Sequence, residues 1–247
     1  EGLAVEKVLV GTRQVFVINS SAGLGVRDSH GRTRFEFARD ELIRYWRDPQ
    51  ASLTGVDDLS LLTAEGLLIQ HSQSAAELSA SLDQIQPTFE TGISGFDLIL
   101  LALDFSADPV GEGLLPGSLI FITPVIETPR DLPTANAIAR ANESGTAIFP
   151  VLFSNPESPA EPDIQPLLDL AEATGGRFVR YEPQAGLGEL ADWILAQRFQ
   201  YRLSFSSQTN TPGAHTLQIV VNTNDLEAAS SLVNYSIDVQ PPQIAFI

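Results

Sequence analysis

Ser118-Leu119-Ile120-Phe121-Ile122-Thr123 is an uncharged run with four large apolar side chains in succession. A strand with one wet face alternates apolar and polar residues, whereas an unbroken apolar run is expected where helices cover both faces of a parallel sheet. The run, introduced by Gly117, therefore predicts a buried central strand and requires helical segments on either side of it in the chain.

Those segments are present upstream. Phe96, Ile99, Leu100 and Leu103 keep a 3.6-residue period behind the loop Gly92-Ile93-Ser94-Gly95. Ser74 and Glu77 have capping-box spacing ahead of the stripe Leu78, Leu82 and Ile85, which Pro87 is expected to end. Asp57 to Leu62 and Gly66 to Gln70 read as an antiparallel strand pair joined by Thr63-Ala64-Glu65. Thr33 and Glu36 repeat the capping-box spacing before a helix that places Phe35, Ala38, Leu42, Tyr45 and Trp46 on one face. Arg13 to Ile18 reads as a strand feeding the polar, glycine-rich loop Asn19-Ser20-Ser21-Ala22-Gly23-Leu24-Gly25.

Downstream the alternation continues. A helix is predicted around Leu132 to Asn142, a strand at Ala147 to Phe153, and a helix at Ile164 to Ala173 capped by Thr174-Gly175-Gly176. A strand at Arg177 to Tyr181 and a helix at Leu190 to Phe199 complete the series. Pro150 cannot donate to a ladder, so a bulge or local irregularity is expected there. After Phe199 the period changes to two. Tyr201, Leu203 and Phe205 alternate with polar residues, as do Leu217, Ile219 and Val221 beyond the turn-rich Gln208 to Ala214, which predicts an antiparallel hairpin. Asn224 to Ser231 reads as a connector, Leu232 to Val239 as a strand and Pro241-Pro242 as a boundary.

The expected fold is a doubly wound α/β domain with a mostly parallel six-stranded sheet, one antiparallel edge strand, helices on both faces and a C-terminal β appendage. The expected division is 1–199 for the α/β domain, 200–240 for the hairpin and strand extension, and 241–247 for the start of a following module.

With 14 Lys plus Arg against 31 Asp plus Glu, the 247-residue chain carries a formal charge of −17. That charge opposes phosphate backbones and anionic lipid, so no nucleic-acid role is expected. No run of about 18 apolar residues is present, so no direct membrane insertion is expected. The absence of Cys excludes a disulfide framework and thiolate chemistry. Glu1 at the start and the absence of Met suggest a piece of a longer protein whose export signal could lie elsewhere. Asp57-Asp58 and Glu161-Pro162-Asp163 read as solvated turn formers with no assigned role, their bulk effect being solubility and a preference for basic partners.

The order of these segments resembles the von Willebrand factor A family. The resemblance is carried by Val15 to Gly23, Gly31 to Ala38, Leu119 to Thr123 and Ala171 to Phe178, and spans roughly Arg13 to Phe199. It implies a metal-ion-dependent adhesion site in which an Asp-x-Ser-x-Ser loop, a Thr and a second Asp surround Mg²⁺. Carried onto this sequence, those positions are Asn19, Ser21 and Gly23 in the first loop, Ile93 (or Ser94, one residue on) in the second, and Pro124 in the third. Only Ser21 matches. Mg²⁺ prefers near-octahedral oxygen coordination and is held through carboxylates, both of which are missing, so no metal and no other cofactor is expected.

Asn19 and Ser21 have two readings: they satisfy backbone groups in a tight loop, or this end of the sheet binds a partner, as the carboxyl ends of open α/β sheets commonly do. On the second reading the candidate binding residues are Asn19, Ser21, Gly23, Ser94 and Thr123. Enzymatic readings are weaker. Gly23-Leu24-Gly25 lacks the third Gly and the immediate helix of a dinucleotide loop, and His30, His71 and His215 have no Gly-x-Ser-x-Gly elbow to serve.

The resemblance implies a non-enzymatic adhesion or scaffold domain that binds a protein, in an extracellular or cell-surface setting such as a bacterial envelope protein. The alternative is an intracellular accessory or assembly factor of a metal-dependent complex, or a small-molecule enzyme using the same cleft.

Overall fold

The computed structural model describes residues 4–89, 95–107, 115–124, 134–153, 164–204, 211–222 and 227–238. Two compact units are present, Lys7–Tyr201 and a smaller one made of Glu1–Glu6 with Arg202–Ile247.

In chain order the larger unit carries β2 (Arg13–Ile18), α1 (Arg34–Arg47), β3 (Asp58–Thr63), β4 (Gly66–Ser72), α2 (Ala75–Asp83) and α3 (Gly95–Ala107). It continues with β5 (Gly117–Thr123), α4 (Thr134–Ser144), β6 (Thr146–Leu152), α5 (Gln165–Ala173), β7 (Val179–Arg180) and α6 (Gly188–Gln197). The sheet order is β4-β3-β2-β5-β6-β7, and every pair is parallel except β3 with β4. The fold is the doubly wound sheet with one antiparallel edge strand that the sequence predicts.

The uninterrupted apolar runs are explained by two cores. Phe16, Ile18, Ile120 and Ile122 point to the face covered by α1, α2 and α6. Val15, Val17, Leu119 and Phe121 point to the face covered by α3, α4 and α5. Each residue of β2 and β5 is buried whichever way it points, which is why neither strand can alternate.

Thr33 caps α1 as its spacing predicts: its hydroxyl accepts from the Glu36 N–H while the Glu36 carboxylate accepts from the Thr33 N–H at 2.6 Å. Those hydrogen bonds, the backbone one first, hold the Glu36 carboxyl below its ordinary value. Thr33→Ala is expected to cost about 1 kcal/mol in a denaturant titration. The share due to Glu36 is complete above the ordinary glutamate value of about 4.3 and fades as pH falls through the lower folded value. An undiminished midpoint in the variant at neutral pH would show that the cap contributes nothing.

Several expectations need correction. Ser74 caps α2, but the Glu77 carboxylate accepts from Ser72 Oγ at 2.6 Å and Ser74 N–H donates to the same hydroxyl. The helix stops at Asp83, ahead of Ile85 and Pro87. Pro150 causes no bulge, since β6 pairs with β5 in unbroken register through Phe121 and Pro150. The backbone groups of Ile148 and Leu152 face away from β5, the former donating to Thr174 Oγ1 and the latter accepting from Tyr181. Pro150 has the same parity, so its missing donor faces the side where β7 pairs only from Val151 onward.

The smaller unit corrects the predicted hairpin. β8 (Phe199–Ser204) pairs with β1 (Ala4–Leu9), and the unit boundary falls within both strands. β9 (Gly213–Leu217) pairs antiparallel with β12 (Val233–Ile237), and β10 (Val220–Asn222) with β11 (Glu227–Ala229). The first strand's partner thus comes from the N-terminal segment, and part of the expected connector is strand. Phe205 and residues 239–247 lie outside the described residues.

Candidate functional site

The carboxyl ends of β2 and β5 bring together most of the candidate residues. The Asn19 N–H donates to the Ile122 carbonyl at 2.8 Å, continuing the ladder past the end of the strand. Its side-chain Nδ2 donates to Thr123 Oγ1 at 3.1 Å, and that hydroxyl donates in turn to the Pro124 carbonyl at 3.1 Å. The Asn19 Oδ1 and the half-buried Ser21 hydroxyl have no hydrogen-bond donor or acceptor among the described residues.

Two glycines make the close packing possible. A Cβ at Gly23 would lie 2.7 Å from Pro124 Cβ, and one at Gly95 would lie 2.7 Å from Asn19 Nδ2. Asn19, Gly23 and Thr123 therefore share one end of the sheet with the first turn of α3. Ser21 belongs to the same loop, which continues as a short 3-10 turn at Ala22–Gly25. Ile93 and Ser94 lie outside the described residues.

Of the two readings of this loop, local backbone satisfaction applies to Ser20 instead. Ser20 is fully buried, accepts from the Ala64 N–H at 3.3 Å and donates to Glu65 Oε2 at 2.8 Å. Sequence reasoning passed over it because its role depends on β3, whose pairing brings residues 45 positions apart into contact. Asn19 bonds a side chain across the sheet end, and Ser21 bonds no described backbone group.

Among the described residues, the oxygen donors here are one amide, two hydroxyls and a carbonyl already bonded to Thr123, with no carboxylate among Asn19, Ser21, Gly23, Thr123 and Pro124. Such a set does not fit Mg²⁺, which gives up water reluctantly and is usually held by carboxylates. Among the described residues, no group of three or more His, Cys, Asp or Glu could hold a metal ion.

The three histidines lie elsewhere. His30 sits on an exposed turn where Ser29 Oγ at 3.3 Å and Asp28 Oδ2 at 3.8 Å both approach Nδ1. A catalytic relay uses both ring nitrogens, one for the nucleophile and one for the acid. His71 pairs with Asp58 at 3.0 Å, and His215 packs on Tyr235 in the smaller unit. The Gly23-Leu24-Gly25 segment is closed by Pro124 and Phe89 against the backbone, and α1 starts only at Arg34, so it has neither the room nor the helix terminus of a dinucleotide loop.

The reading of Asp57-Asp58 as solvated turn formers is wrong. Asp57 is fully buried and receives hydrogen bonds from the Thr12 N–H, the Leu53 N–H, Gln14 Nε2 and the Arg198 guanidinium, the last at 2.6 Å. Asp58 pairs with the buried Arg13 at 2.8 Å. Both carboxylates tie down the amino end of the sheet, opposite the candidate site. Glu161 to Asp163 lie outside the described residues.

No protein-family model matches the chain, and no curated protein matches its sequence. Solved structures match its shape. The proximal thread matrix protein 1 of the mussel byssus aligns at a TM-score of 0.55 and 11% identity, over 80% of this chain and 49% of the other. The pilus adhesin SpaC of Lactobacillus rhamnosus GG aligns at 0.55 and 12%, over 86% of this chain and 35% of the other. The manganese-loaded Plasmodium vivax TRAP protein aligns at 0.53 and 12%, over 95% and 97%. The fold is that of von Willebrand factor A domains. This chain spans about half of the mussel protein and a third of the pilus adhesin. Among the described residues no helix is long and apolar enough to cross a membrane.

Proposed function

We propose that this chain is a non-catalytic domain of an adhesion or scaffold protein that binds a protein partner at the carboxyl end of its sheet without a metal ion. The observation that carries the reading is the direct Asn19 to Thr123 hydrogen bond, which joins β2 and β5 where carboxylate ligands would otherwise face a cation. The Asn19 Oδ1 and the Ser21 hydroxyl beside it are left for a partner to engage. The named neighbours include a pilus adhesin and a byssal matrix protein, which favours a surface or secreted setting.

The test is capture of protein from source-cell and medium extracts on the immobilised chain, in Mg²⁺ and in chelator, with Ser21→Trp as control. The same proteins are expected in both buffers, and the bulky side chain is expected to remove them. A parallel melt is expected to show no shift on adding Mg²⁺ or Mn²⁺. A cation bound only to the folded state at about a hundred times its dissociation constant would add roughly 2.7 kcal/mol, a clear rise in melting temperature. A saturable rise lost in Ser21→Ala would overturn metal independence. Capture indifferent to Ser21→Trp would place binding elsewhere.

A further inference from the structure

The −17 charge of the chain points to basic partners, yet its few cations are not evenly spread. A cleft of about 660 Å³ lies between the loop after β2 and the segment after β7, and Arg27, Arg32, Arg34 and Arg180 line it. Among the described residues, four arginines thus share this cleft with two acidic residues, Asp28 and Glu182. The local balance of charge is the reverse of the global one.

Among the described residues, two of these arginines have no counter-ion. Arg32 pairs with Asp40 and lies over the Phe37 ring, and Arg27 donates to the Gly31 carbonyl while its charge acts on Glu36. Arg34 is half-buried, and its guanidinium has a single bond, to the Gly23 carbonyl at 3.2 Å. Among the described residues neither Arg34 nor Arg180 has a carboxylate partner. Partial burial pushes the Arg34 pKa below its ordinary value. A desolvated charge is ordinarily paired, and the planar fork of arginine matches a carboxylate with two parallel hydrogen bonds.

The cleft also has an aromatic wall. Phe153 and Tyr181 stack with ring centroids 4.2 Å apart. The cleft adjoins the candidate site, since the Phe153 N–H donates to the Thr123 carbonyl and Arg34 holds Gly23. We propose that this cleft binds an acidic peptide segment of a protein partner, its carboxylates paired with Arg34 and Arg180 and a neighbouring apolar side chain laid against the half-buried Tyr181, whose ring the buried Phe153 supports. A short segment contacts only the cationic cleft, whereas an extended polyanion must also approach a chain of net charge −17. The inference rests on the protein-binding reading above and supplies the chemistry of the partner.

The probe is a fluorescein-labelled Gly-Glu-Phe-Glu-Gly peptide titrated by anisotropy against the full chain, with its Gln-Phe-Gln counterpart as control. Saturable binding is expected, about tenfold weaker for the Gln peptide, which loses both charged contacts, and about threefold weaker for Arg180→Gln, whose exposed contact is screened by water. Added salt is expected to weaken it. Arg180 is exposed, so its replacement tests the cleft even where Arg34→Gln perturbs folding. Equal binding of the two peptides, or binding unchanged by Arg180→Gln, would overturn the proposal. So would a heparin oligosaccharide that binds more tightly than the Glu peptide and is lost with the same substitution. Protein capture abolished by Ser21→Trp but untouched by Arg180→Gln would overturn the cleft while the protein-binding reading stands. Peptide bound through Arg180 with no protein captured by any form would support the cleft and overturn that reading.

Discussion

Arg198→Met is expected to destabilise the Lys7–Tyr201 unit by about 3 to 5 kcal/mol, the cost of removing one partner from a buried ion pair. Arg198 follows α6 and is wholly enclosed. Its guanidinium donates to both Asp57 oxygens, to the Ala51 carbonyl at 2.6 Å and to the Gln50 carbonyl. It thereby fastens α6 to the segment after α1 and to the start of β3. Without it, Asp57 is left with the Thr12 N–H and hydroxyl, the Leu53 N–H and Gln14 Nε2, the Gln50 carbonyl loses its described donor, and the Ala51 carbonyl keeps only Gln14 Nε2 at 3.3 Å. The measurement is urea unfolding followed by tryptophan fluorescence, which reports this unit because Trp46 lies in its core and the half-buried Trp193 packs against it. Asp57→Leu should be comparably harmful, and the double variant Arg198→Met with Asp57→Leu less harmful than the two single costs added, since no buried charge is left over. A loss under about 1 kcal/mol for Arg198→Met would mean that the pair holds nothing together.

That pair marks what could and could not be read from the chain. The sheet was legible because burial on both faces leaves an unbroken apolar run in β2 and β5, and the helices because one-sided burial leaves a 3.6-residue stripe. Both are local signals. Asp57 and Arg198 are 141 residues apart, and nothing near Asp57-Asp58 distinguishes a buried carboxylate from a solvated turn. The partner of β8 was missed for the same reason, since alternation reports that a strand has two different faces but not which strand it lies beside. At the candidate site, Asn19, Gly23 and Thr123 were located through their place after β2 and β5, and the structure brings them together. The arginines of the cleft were not, because positions 27, 32, 34 and 180 meet only after β7 is laid against β6.

That docking depends on Gly176. Thr174-Gly175-Gly176 reads in the sequence as a helix C-cap, but its two glycines serve different ends. Gly175 has φ of +75° with open space around it, so only its backbone conformation calls for glycine. Gly176 is in close contact instead: an added Cβ would run into the Ile148 carbonyl, whose carbon lies 2.6 Å away. The obstacle is the backbone of β6, fixed by its ladder with β5, so it cannot swing aside as a side chain would. Gly175→Ala should therefore cost about 1–2 kcal/mol, the penalty for a left-handed residue with a Cβ. Gly176→Ala should cost about 3 kcal/mol, at the upper end of overpacking in a rigid site. The strain should appear where β7 leaves the cap, three residues before Val179 and four before Arg180. Even in its folded fraction, Gly176→Ala should therefore hold the Glu-containing peptide more weakly, while Gly175→Ala binds it normally. Equal costs for the two substitutions in urea unfolding would show that the approach of Gly176 to β6 is not what places β7, and with it Arg180 and Tyr181, at the wall of the cleft.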